Sequence, residues 1–148
     1  MVDSAESVVV RYQCQGKDIH TLSLGSPFLA DISLDYTGIP AAQRAGTAAR
    51  LLLASALYCF ASTLGSALQV RGVDFKSIKG RAIAEKEEDD YHRTRVSRIR
   101  IEIDAEVDPD DLPVLERCRK VMEKGCLITY SLYNGIEVEH TIHAKETL

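Results

Sequence analysis

An uncharged run of twenty residues, from Leu51 to Val70, constrains the fold of this chain more than any other feature. Leu and Ala dominate the run and favour an α-helix. A helix that is apolar on every side must be covered by a large core or by a second chain, and 148 residues offer a limited core. The run is also just long enough to cross a membrane, but Ser, Thr, Gly and Gln dilute it and no second span follows. We therefore expect a buried central helix in a homodimer, and no membrane partner; a membrane-inserted helix is the alternative.

Cys59 lies near the middle of this run and shares one helical face with three serines. Ser55, Ser62 and Ser66 are four residues before, three after and seven after it, which are spacings that bring side chains to the same side of a helix. A thiol on a narrow polar stripe of an apolar helix is a candidate reactive group. The alternative is that Cys59 is only a small core residue, as free cysteines often are.

The rest of the chain predicts an α+β fold in a single domain over residues 1–148. Runs of strands around few helices argue for this class and against a doubly wound parallel sheet. The predicted strands, with periodicity two or Val-rich composition, are 7–13, 19–24, 28–36, 75–87, 99–107 and 136–144. A second helix begins after Asp108 and ends at Gly125, and Leu127–Tyr133 fits either a strand or a short helix.

Composition argues against several functions. A net charge of −4, three Phe and no Trp do not suit nucleic-acid binding. The four cysteines form no C-x-x-C pair, and His140 and His143 would lie on opposite faces of a strand, so we expect no metal site. No phosphate-binding glycine motif is present, and we expect no cofactor. Residues 1–7 lack the features of a signal peptide, so we expect a cytoplasmic protein.

Two cysteines occupy positions where thiol chemistry is plausible. Cys59 is inside a helix, where burial alone raises the pKa of a thiol, so that it needs a nearby cation or hydrogen-bond donors. Cys126 follows a helix stop, and if a helix begins at Leu127 the positive end of its dipole lowers the pKa of that thiol. Peroxide reduction needs one thiolate and a second thiol to resolve the sulfenic acid. The sequence supplies both thiols but does not show that they meet.

The stretch GTAARLLLASALYCF, residues 46–60, resembles the central-helix motif of the OsmC/Ohr family. So does Cys126, placed after a helix and before an Asn-Gly turn and a final strand. The resemblance implies a β(3)-α-β(2)-α(2)-β subunit in an intertwined, swapped homodimer around the long helix. It also implies a thiol-dependent peroxidase that reduces organic hydroperoxides, with Cys59 as the peroxidatic and Cys126 as the resolving cysteine, regenerated by an external dithiol.

The sequence departs from this family at the groups that activate the reactive cysteine. Ala49 stands where the family has a Glu ten residues before that cysteine, and Ala48 replaces the preceding Pro. The family's Arg has no match between residues 23 and 36, which leaves Arg44 and Arg50 as candidate activating cations. These departures favour a second hypothesis, a non-enzymatic OsmC-like module that binds a small ligand or serves as a scaffold.

Overall fold

A computed structural model of the protein describes residues 7–147. They divide into two compact units, one ending at Thr47 and one beginning at Ala48. The elements combine small antiparallel sheets with helices, and the predicted α+β class is confirmed. The single domain over residues 1–148 stays a prediction.

The first unit is a three-stranded antiparallel meander. Its strands are β1 (Arg11–Gln15), β2 (Ile19–Ser23) and β3 (Ile32–Asp35), and β2 lies in the centre. β3 is shorter than the predicted strand over 28–36. The reason is a local turn, in which the Ser26 hydroxyl accepts hydrogen bonds from the backbone N–H groups of Phe28 and Leu29. The strand predicted over 7–13 corresponds to β1, which begins and ends later in the chain than predicted.

The long helix α1 (Thr47–Val70) contains the whole uncharged run and begins before it, at Thr47. It ends in a glycine cap, since Gly72 has a φ of 78°. The backbone N–H of Val73 reaches the Leu68 carbonyl at 3.0 Å, and that of Gly72 reaches the Gln69 carbonyl at 3.0 Å. Val73 and Leu68 are both buried, which adds the apolar contact that accompanies this type of cap.

After α1 the chain forms a long hairpin of β4 (Ser77–Glu88) and β5 (Thr94–Glu106), and then two helices. They are α2 (Leu112–Met122) and α3 (Leu127–Asn134). Gly125, with a φ of 80°, separates them. The segment after Cys126 is therefore a short helix, which settles the ambiguity that the sequence left open.

The core of the second unit joins the C-terminal half of α1 to α2. Its buried members are Leu64, Leu68, Val73, Cys118 and Met122. Much of α1 is not covered by this core, and Tyr58 is 75% exposed. By length and composition the helical segment Ala41–Val70 could cross a membrane, with 22% of its most apolar window buried within the chain. The core helix of a soluble protein passes the same test of length and composition.

The predicted final strand over Ile136–Ala144 is not formed within residues 7–147. Residues 135–147 have no regular secondary structure, and three apolar side chains there, Ile136, Val138 and Ile142, are exposed. A strand is stable only when its backbone groups pair with a neighbouring strand. Because this segment pairs with no described strand, its alternating pattern has no sheet to join.

Candidate functional site

Cys59 from α1 and Cys126 from the start of α3 come together in the second unit. The two thiols are close enough for each to shift the pKa of the other, and both are free. Of the other cysteines, Cys118 is fully buried in the core and Cys14 is exposed on β1. The structure therefore brings together the two cysteines that the sequence singled out.

Cys126 is the N-cap residue of α3 and is held by a reciprocal pair of hydrogen bonds with Thr129. The Cys126 sulfur accepts from the backbone N–H of Thr129, and the Thr129 hydroxyl oxygen accepts from the Cys126 N–H at 2.9 Å. The same hydroxyl lies 3.4 Å from the sulfur. A Cβ on Gly125 would stand 2.5 Å from the Thr129 Oγ1, so the preceding glycine leaves room for this arrangement. Sequence reasoning missed Thr129, although C-x-x-T before a helical segment is a variant of the capping box.

The environment of Cys126 lowers the pKa of its thiol. Burial acts in the opposite direction and is the largest single effect. It is outweighed by the hydrogen bond from Cys59, by the hydroxyl and the backbone N–H of Thr129, and by the backbone N–H of Ile128. The direction agrees with the expectation for a cysteine at a helix N-terminus.

The environment of Cys59 raises the pKa of its thiol. Burial is the largest cause, and the hydrogen bond to Cys126 adds to it. The backbone N–H of Ile128 and the hydroxyl of Thr63 act in the opposite direction without reversing the shift. The two thiols of the pair thus differ in the direction of their pKa shifts.

The serine stripe predicted around Cys59 does not build a pocket for its thiol. Ser55, Ser62 and Ser66 are all exposed. The Ser62 hydroxyl donates to the Cys59 carbonyl at 3.2 Å, and the Thr63 hydroxyl donates to the same carbonyl at 2.7 Å. These are local bonds of a helical turn.

The candidate cations Arg44 and Arg50 lie outside the set of groups that most strongly shift the two thiols. Arg44 donates to the Ile39 carbonyl at 2.7 Å, to Asp18 Oδ1 at 3.0 Å and to the Tyr36 carbonyl at 3.1 Å. All three acceptors belong to the first unit. Arg50 is exposed near the start of α1. An activating role for either residue stays a prediction.

A groove of about 970 Å³ lies in the second unit, and it is lined by neighbours of Cys59 and Cys126 but by neither cysteine itself. Its wall includes Ala56 and Phe60, which flank Cys59 on α1, and Gly125 and Thr129, which flank Cys126. Apolar residues of β5 and α3 form much of the remainder: Ile99, Ile101, Leu132 and Tyr133. The groove can therefore seat an apolar molecule next to residues that border both thiols.

No group of three or more His, Cys, Asp and Glu side chains within residues 7–147 is arranged to hold a metal ion. His140 and His143 lie exposed in the segment without regular structure.

Comparison with known proteins gives the family. The family model described as OsmC-like protein matches residues 42–141, more than half of the chain. The chain belongs to the OsmC-like protein family. The match contains α1, the β4–β5 hairpin and both later helices, and so both cysteines of the pair. No curated protein matches the chain.

Two solved structures share the OsmC-like fold with this chain. An OsmC like protein from Mycoplasma pneumoniae superposes with a TM-score of 0.66 at 12% identity, covering 88% of this chain and 89% of that chain. A hypothetical protein from Aquifex aeolicus VF5 superposes with a TM-score of 0.62 at 19% identity, with the same coverage. At these identities the likeness concerns the fold alone. The match to the family model confirms the family resemblance, and the swapped dimer stays a prediction.

Proposed function

We propose that this protein is a thiol-dependent peroxidase that reduces organic hydroperoxides with Cys59 and Cys126 as its redox pair. The observation that carries the proposal is the proximity of the two thiols, each of which shifts the pKa of the other. A two-cysteine mechanism requires two thiols that can come together to form a disulfide. Membership of the OsmC-like family supports the same chemistry.

The reaction balances without a metal or an organic cofactor. One thiolate attacks an oxygen of the hydroperoxide, an S–O bond forms, and the O–O bond breaks. The alkoxide leaves and takes up a proton as the alcohol, and the sulfur becomes a sulfenic acid. The second thiol attacks that sulfur, a disulfide forms and water leaves. An external dithiol then reduces the disulfide by thiol–disulfide exchange and is itself oxidised.

The groove favours an organic hydroperoxide over hydrogen peroxide. Its walls carry Phe60, Ile99 and Leu132, which can contact the hydrocarbon part of a substrate. Each Å² of apolar surface that is removed from water contributes roughly 25 cal/mol of favourable free energy. A small polar peroxide cannot gain that contribution.

A homodimer is the second part of the proposal. α1 leaves apolar side chains such as Tyr58 and Leu51 exposed, and the C-terminal segment offers an unpaired, alternating sequence. A second copy of the chain would cover the exposed side chains of α1 and pair with the C-terminal segment. A cytoplasmic location, where thiols are kept reduced, would supply the dithiol that regenerates the pair.

The activity is tested by steady-state reduction of cumene hydroperoxide with dithiothreitol. We expect wild type to consume the hydroperoxide, and Cys59→Ser and Cys126→Ser each to lose turnover. Cys14→Ser is the matched control, because Cys14 is exposed and belongs to the first unit. If both single variants turn over at the wild-type rate, the two-cysteine peroxidase is excluded.

A non-enzymatic ligand-binding module is the second candidate. The observation in its favour is that Ala49 occupies the position of the family's Glu, while Arg44 donates to three acceptors of the first unit. The rate of alkylation at neutral pH separates the two candidates. If both Cys59 and Cys126 react no faster than the exposed Cys14, the binding module is the better account.

A further inference from the structure

We infer that the external dithiol which regenerates the protein attacks the Cys59 sulfur of the disulfide, and that Cys126 leaves as a thiolate stabilised by Thr129. This rests on the proposed function, and it leaves unchanged the order in which the two cysteines react during peroxide reduction. The reasons are the donors around the Cys126 sulfur and the different exposure of the two cysteines.

Thr129 places two hydrogen-bond donors at the Cys126 sulfur. Its backbone N–H donates to the sulfur, and its hydroxyl lies 3.4 Å away. The hydroxyl oxygen already accepts the Cys126 N–H at 2.9 Å, so the hydroxyl proton is available to the sulfur. Donors fixed in this way stabilise the negative charge that a leaving sulfur acquires.

The surroundings of Cys59 do not supply the same donors. The Thr63 hydroxyl lies near the Cys59 thiol but donates its single proton to the Cys59 carbonyl at 2.7 Å. The backbone N–H of Ile128 acts on both thiols and does not distinguish them. Thr129 lowers the pKa of Cys126 and is not among the groups that most strongly shift the pKa of Cys59. Thr129 is therefore the group that makes Cys126 the better leaving sulfur.

The two cysteines also differ in access from solvent. Cys126 is 5% exposed, whereas Cys59 is partly exposed on α1. The course of thiol–disulfide exchange depends on which sulfur an attacking thiolate can reach and on how readily the other sulfur leaves. Both conditions favour attack at Cys59 and departure of Cys126.

The bond changes balance with the external dithiol as the co-reactant. One thiolate of the dithiol forms a bond to the Cys59 sulfur, the Cys59–Cys126 bond breaks, and its electron pair stays on Cys126. The second thiol of the reductant then attacks the reductant's own sulfur in the mixed disulfide, and Cys59 leaves as a thiolate. The reductant is oxidised to a cyclic disulfide, and the two protons that it loses restore the two thiols.

A monothiol, which cannot complete the reduction, tests the site of attack. Wild type is oxidised with one equivalent of cumene hydroperoxide, mixed with one equivalent of 2-mercaptoethanol and quenched at early times with N-ethylmaleimide. Peptide mass spectrometry then locates the mixed disulfide and the alkylated cysteine. We expect at least about tenfold more mixed disulfide on Cys59 than on Cys126, with N-ethylmaleimide on Cys126.

Thr129→Val measures what the hydroxyl contributes to the leaving group. The disulfide is formed in advance, and its reduction by excess dithiothreitol is followed over time. We expect the rate constant of Thr129→Val to fall at least about threefold, because a thiol of higher pKa leaves more slowly. Thr129→Ser retains the hydroxyl and should be reduced at the wild-type rate. Equal rates for wild type and Thr129→Val would overturn the role of Thr129.

Two other outcomes overturn the inference in different ways. A mixed disulfide mainly on Cys126, in a wild type that consumes cumene hydroperoxide, contradicts the site of attack and leaves the peroxidase intact. No disulfide between Cys59 and Cys126 after hydroperoxide treatment, with no consumption by wild type, excludes the proposed function and the regeneration step with it.

Discussion

At the residue scale, the site consists of two neighbouring thiols whose surroundings shift their pKa values in opposite directions. Cys59 and Cys126 were both identifiable from the sequence, because each occupies a distinctive place relative to a helix. Their proximity was not, since they are far apart in the chain. Thr129 was missed because its role depends on a helix starting at Leu127, which the sequence left undecided.

The pH dependence of alkylation follows from the opposite pKa shifts. The pKa of Cys126 is lowered, so its thiolate forms, and its reaction with iodoacetamide accelerates, at a pH below that of an ordinary thiol. The pKa of Cys59 is raised, so its acceleration comes at a higher pH. Mass spectrometry of labelled peptides across pH 5–10 measures both profiles. Overlapping profiles, or a lower midpoint for Cys59, would contradict the account.

Removal of the Thr129 hydroxyl tests the cap directly. Thr129→Val keeps the shape of the side chain but removes its hydrogen bonds, so we expect the alkylation profile of Cys126 to move to higher pH. The rate at neutral pH should then fall by on the order of tenfold. Thr129→Ser keeps the hydroxyl and should stay near wild type. A profile that Thr129→Val leaves unchanged would show that the hydroxyl does not stabilise the thiolate.

At the element scale, long periodic segments were predictable and short or partner-dependent ones were not. α1 and β5 were found because many residues repeat one pattern. β3 was predicted too long, because Ser26 bends the chain through side-chain hydrogen bonds that the alternation conceals. The strand over Ile136–Ala144 was wrong for the described chain, because no pattern within a strand reveals whether a neighbour exists to pair with it.

Gly80 marks a close approach between β4 and its neighbours that the sequence did not show. A Cβ there would lie 2.5 Å from Ile103 Cδ1 and 2.7 Å from the Glu102 carbonyl oxygen, which is part of the paired strand. We expect Gly80→Ala to lower the free energy of unfolding by about 1–3 kcal/mol through overpacking. Urea denaturation measures this. Lys79→Ala, at an exposed position of the same strand, is the control and should change stability by less than about 0.5 kcal/mol.

At the scale of the whole molecule, the family and the fold agree, and the single chain leaves apolar surface of α1 uncovered. The core covers only part of α1, and residues 135–147 are exposed and pair with none of the described strands. The apolar Leu51–Val70 run already led us to expect a second chain, because a helix that is apolar on every side must be covered and a chain of this length has a limited core. The way in which the proposed dimer is joined was not predictable from periodicity, which describes one chain at a time.

A charge on the uncovered part of α1 tests the proposed homodimer. Tyr58 is 75% exposed in the single chain, and a second copy over α1 would bury it. We expect wild type to sediment as a dimer, and Tyr58→Glu to shift the equilibrium toward monomer by at least about tenfold in Kd, because a buried unpaired charge is costly. Tyr91→Glu, at a tyrosine 79% exposed in the β4–β5 hairpin, is the control. A monomeric wild type in sedimentation velocity would contradict the dimer.

The most direct test of the central claim, that Cys59 and Cys126 form one redox pair, is a disulfide map after stoichiometric oxidation. The reduced protein is mixed with one equivalent of cumene hydroperoxide, remaining thiols are blocked, and the peptides are analysed by mass spectrometry. We predict that two of the four cysteines per chain become unavailable for blocking, and that the new bond joins Cys59 to Cys126 within the same chain. Four blocked thiols, or a disulfide that involves Cys14 or Cys118 in place of this pair, would contradict the account.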